Sequence, residues 1–78
     1  MSNTLPEAEI LTTTEKALNA FLHDDLKYID GLQWEDDQHR AANSMASRLN
    51  GGLVDNGVKD FTAKVELKPA RITIVTVQ

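Results

Sequence analysis

The apolar residues of this 78-residue chain change their spacing near residue 60. Before that point they recur at the helical period. After it they alternate along a β-branched tail. Few folds accommodate both habits in so short a chain. The helices must cover one face of a small antiparallel sheet, which is an α+β arrangement.

The tail is the more constrained part. Phe61, Ala63, Val65 and Leu67 point one way, while Thr62, Lys64 and Glu66 point the other, which predicts a half-buried strand. Lys68-Pro69-Ala70-Arg71 reads as a turn, with the fixed φ of Pro69 at its second position. Ile72 to Val77 is a second strand dense in β-branched residues. Together they form a C-terminal β-hairpin. A lone hairpin is marginal in water, so it must pack on helices, gain a short N-terminal strand from residues 8–12, or pair with another chain. The expected order is β-α-α-β-β or α-α-β-β.

From about Thr13, the residues Leu18, Phe21, Leu22, Leu26, Ile29 and Leu32 fall on one helical face, with Leu11 before them. Thr12 and Glu15 have the spacing of a capping box, and Gly31 is placed for a left-handed stop. Asp25 projects into the apolar stripe. Either the helix is interrupted near His23-Asp24-Asp25 or a buried carboxylate has found a donor; the interruption is the favoured reading. A second helix opens on Glu35, Asp36 and Asp37, where the helix dipole favours negative charge. Trp34, Gln38, Ala41, Ala42, Met45 and Leu49 share its inner face, and Asn50-Gly51-Gly52 supplies its C-cap. Leu53 to Asp60 is a connector with an Asp55-Asn56-Gly57 turn. The four aromatics, Phe21, Tyr28, Trp34 and Phe61, are each expected to anchor the core. The length fits one domain, with residues 1–7 expected to be disordered.

Charge divides the chain. Met1 to His39 carries nine acids against two bases, and Arg40 to Gln78 six bases against three acids, so the halves hold −7 and +3. A molecule polarised this way steers toward charged partners. With a pI near 4.9, direct nucleic-acid binding is disfavoured, although Lys64, Lys68 and Arg71 flank the hairpin turn. There is no cysteine, which excludes disulfides and thiolate sites and fits a cytoplasmic location. No apolar run approaches the length of a membrane span, and the N-terminus lacks the pattern of a secretory signal.

Nothing in the chain encodes catalysis. His39 follows Glu35 by four residues and Asp36 by three, and His23 precedes Asp24 and Asp25. Both are read as solvated helix faces with local ion pairing. Adjacent carboxylates on a helix point about 100° apart and do not converge on a metal. No cofactor, metal site or enzymatic activity is expected. Two surfaces remain. The acidic residues Asp24, Asp25, Glu35, Asp36 and Asp37 can contact a protein partner with a basic surface. Ile72 to Val77 is either a central strand of this domain's own sheet or an edge strand, and in the second case Ile72 and Ile74 can add to another sheet in a homo-oligomer or virion subunit.

One short stretch, Val65-Glu66-Leu67-Lys68-Pro69-Ala70-Arg71-Ile72-Thr73-Ile74, is similar to the final strands of contractile tail-sheath proteins, where a Lys-Pro-Ala turn leads into a β-branched strand. The several-hundred-residue body of those proteins is absent here. The general profile, short, acidic, cysteine-free and without an active site, resembles small phage or mobile-element inhibitors of host complexes, including anti-CRISPR proteins. That resemblance is one of type and implies action by occupying a surface.

Overall fold

A computed structural model describes residues 7–77, with side chains from Thr12 to Val77. The element order is α1 (Glu7–Phe21), α2 (His23–Gly31), α3 (Glu35–Asp55), β1 (Phe61–Glu66) and β2 (Arg71–Thr76). It is the α+β architecture, in the α-α-β-β form, with the first helical stretch divided in two. Residues 8–12 lie inside α1, so the N-terminal strand does not form. The expectation of disorder at the N-terminus falls, for residues 1–6, outside the described residues; Glu7 begins α1.

The strands pair antiparallel, with Ala63 opposite Ile74 and Val65 opposite Ile72. Their inward face carries Phe61, Ala63, Val65, Ile72 and Ile74. α1 lies beside β2 and α3 beside β1, each antiparallel to its strand, so the hairpin sits as a wedge between two helical arms. The arms converge beside the hairpin turn, where Asp30 Oδ1 accepts the Ala70 N–H at 2.8 Å. The core is one cluster in which Leu26, Ile29, Met45, Ala63, Ala70, Ile72 and Ile74 are buried, with Leu18, Leu22, Leu49 and Leu53 packed around them. Ile72 is 1% exposed, and burying such a side chain contributes about 1.5–3 kcal/mol.

The interruption of the first helix occurs at Leu22, just before the expected place. Its φ and ψ are −102° and 20°. Hydrogen bonds still thread through it: the Leu22 N–H donates to Leu18 O and the Leu26 N–H to Leu22 O, both at 2.9 Å. The helix bends rather than ends. Asp24 and Asp25 occupy the first turn of α2 and are exposed.

Several local expectations are corrected. The Thr12–Glu15 capping box does not form at a helix start, because Thr12 lies within α1 and Glu15 reaches across to β2. Gly31 is not left-handed; among the described residues only Gly57 has positive φ, at 76°. α3 runs past Asn50-Gly51-Gly52 to Asp55, because Leu53 still packs on the core and draws the helix on. It ends where the Val58 N–H bonds Leu53 O (2.9 Å) and the Gly57 N–H bonds Val54 O (3.0 Å), a Schellman closure that needs the left-handed glycine. The aromatics anchor little. Phe21 is 84%, Tyr28 68% and Trp34 64% exposed, and Phe61 is half-buried. Trp34 is the extended N-cap of α3, at φ −104° and ψ 136°, so the helical period does not govern its side chain. Phe21 sits about 100° round from Leu22 on an ideal helix, off the side that meets the hairpin.

Candidate interaction surface

The outer edges of the hairpin are occupied. On the β2 side, Asn19 accepts the Ile72 N–H at 2.8 Å and donates Nδ2 to Ile72 O at 2.9 Å. Glu15 Oε2 accepts the Ile74 N–H at 2.7 Å. On the β1 side, Asn50 accepts the Ala63 N–H at 2.7 Å and donates to Ala63 O at 3.0 Å, while the Thr62 hydroxyl also donates to Asn50 Oδ1. Each asparagine amide thus mimics the peptide group of a further strand, offering one donor and one acceptor in the right order. Ile72 and Ile74, the candidates for an open edge, are buried with their N–H groups engaged. Strand addition at Ile72–Val77 would have to displace the Asn19 and Glu15 bonds.

The five acidic candidates do not form a single patch. α2 and α3 run in opposite directions, so Asp24 and Asp25 sit near one end of the pair and Glu35, Asp36 and Asp37 at the other. Two of the latter are answered locally: His39 Nε2 is 3.7 Å from Glu35 Oε1, and Arg40 Nη1 3.4 Å from Asp37 Oδ1. These pairs are solvent-exposed and contribute at most about 1 kcal/mol. Asp36 makes no ion pair among the described residues and is exposed beside Trp34. His23 is exposed. Among the described residues no three His, Asp or Glu side chains converge as metal ligands. On the hairpin, Arg71 Nε lies 3.4 Å from Glu66 Oε1, and Lys64 and Lys68 are exposed.

On the side of the helical arms away from the hairpin, a cleft of about 170 Å³ opens between α2 and α3. Leu22, Met45 and Leu49 form its floor, and Asp25 and Arg48 stand on its walls. It continues past Tyr28, Ile29, Ala41 and Ser44. Asp25, the residue that broke the apolar stripe, therefore faces this cleft. Asp25 and Tyr28, three residues apart on α2, stand on the same side of that helix and both line this continuation of the cleft.

Near the hairpin turn, Gln38 is 4% exposed and donates Nε2 to Leu32 O at 2.8 Å, tying α3 to the end of α2. No helix among the described residues is long and apolar enough to cross a membrane. No protein-family model, no curated protein and no solved structure matches the chain.

Proposed function

We propose that this chain is a non-enzymatic protein-interaction domain that docks through its helical arms on a partner with a basic surface. The observation that carries this reading is the exposure of Trp34 beside Glu35 and Asp36. A large amphipathic ring stands in solvent at the junction of α2 and α3, and the acidic first turn of α3 follows it in the chain. Exposed tryptophan is the residue type most enriched among binding hot spots. The −7 of the first half supplies long-range attraction to a basic partner, and Asp24, Asp25, Glu35, Asp36 and Asp37 carry part of it. A small inhibitor borne by a phage or mobile element would be one instance, and the neighbouring genes would identify it.

The test is affinity capture from the native host with immobilised wild type, Trp34→Ala and Asp36→Lys. Folding of each variant is checked first by circular dichroism. A protein retained by the wild type at about 50 mM salt should be released at about 300 mM, as screening shortens the reach of the field. Truncating the ring should weaken capture by roughly 30-fold, the size of a hot-spot loss. Identical capture by all three chains would refute the reading.

A further inference from the structure

We infer that the cleft between α2 and α3 is the interface of a two-fold homodimer, in which Asp25 of each copy pairs with Arg48 of the other. The cleft has the composition of an interface core, with an apolar floor of Leu22, Met45 and Leu49 and an exposed Tyr28 at its side. Its walls bear one acid and one base. Both line the same stretch of the cleft, yet neither makes an ion pair among the described residues.

That charge pattern is matched by a second copy of the chain and not by a uniformly charged partner. A basic partner would meet Arg48 and an acidic one Asp25, so either would leave one wall opposed by like charge. A second copy does not. Rotation about an axis running along the cleft places the Asp25 wall of one molecule over the Arg48 wall of the other, and the exchange is reciprocal. Ala41 and Ser44 on α3 keep that part of the face low enough for the helices to approach.

Sedimentation velocity and light scattering from about 1 μM to 1 mM should show a monomer–dimer equilibrium, the range in which modest interfaces assemble. D25R and R48D, both at exposed positions, should each weaken association at least about tenfold, because each variant face carries two like charges. Mixing the two variants should restore dimers, since one chain then presents two bases to two acids. The double variant D25R/R48D should self-associate like the wild type. A wild type that stays monomeric at about 1 mM overturns the inference and leaves the cleft to a different protein. So does a wild-type dimer that survives D25R, or a mixture that fails to recover while its components remain folded. The inference stands apart from the Trp34 surface. Capture of a basic protein by a strictly monomeric chain would sink the dimer and keep the docking function; dimers without capture would do the reverse.

Discussion

Replacing Asn50 tests how the hairpin is held. In Asn50→Ala the Ala63 N–H and C=O both lose the side-chain amide that engages them on that edge, and Ala63 is 2% exposed, so water replaces the amide poorly. An unsatisfied buried polar group costs about 1–3 kcal/mol; with two such groups and some rehydration, the loss should be about 2–4 kcal/mol. A chain of this length has a total stability of roughly 4–12 kcal/mol, so the variant forfeits a large share of it. In urea, with an m-value near 1 kcal/mol per M, the midpoint should fall by about 2 M or more while m stays constant. Asn50→Asp separates the two halves of the interaction. It keeps the acceptor for the Ala63 N–H but sets a second oxygen against the Ala63 carbonyl, so about 1–2 kcal/mol should be lost despite near-identical shape. Asn43→Ala is the control: the same substitution on the exposed side of the same helix should stay within about 0.5 kcal/mol of wild type. If Asn50→Ala unfolds at the wild-type midpoint, or Asn43→Ala loses as much, the amide is not what secures β1.

Two further outcomes follow from the same geometry. Asn19→Ala should destabilise by an amount similar to Asn50→Ala, and the losses should add within about 0.5 kcal/mol, because the amides serve opposite edges and share no partner; calorimetric or urea data on the double variant check this. Gly52→Ala should stabilise by up to about 1 kcal/mol, since nothing lies within 4 Å of the added methyl in the last turn of α3, whereas Gly57→Ala should cost about 1 kcal/mol at its positive φ, so thermal melts should move in opposite directions.

The elements that were legible in the sequence were those whose period is local. Alternation placed the first strand and β-branched density the second, and Ala63 and Val65 do pair with Ile74 and Ile72. The helical stripe placed Leu18, Leu22, Leu26 and Ile29, and Asp25 marked the bend within a few residues. What eluded the sequence was tertiary. Asn50 before two glycines is a locally sound stop signal, but its amide belongs to Ala63, thirteen residues on. Glu15 at capping-box spacing serves Ile74 instead. Phe21 and Trp34 are apolar enough for a core, yet Leu, Ile and Met from the two arms already fill the space beneath a two-stranded sheet. The acidic residues were identified correctly as surface groups, but only the antiparallel course of α2 and α3 shows that they divide into two ends and that Asp25 belongs with Arg48.

The paired amides also bear on how such a chain can diverge. A side chain that copies a peptide group admits no conservative neighbour: aspartate loses the donor, glutamine is one methylene too long, and serine lacks a carbonyl. Mutational drift can therefore remake the solvent faces of all three helices, Phe21 and Tyr28 included, without touching the architecture, while positions 19 and 50 stay frozen. Descendants of this protein should share those two letters long after the rest of their helical surface has ceased to resemble it.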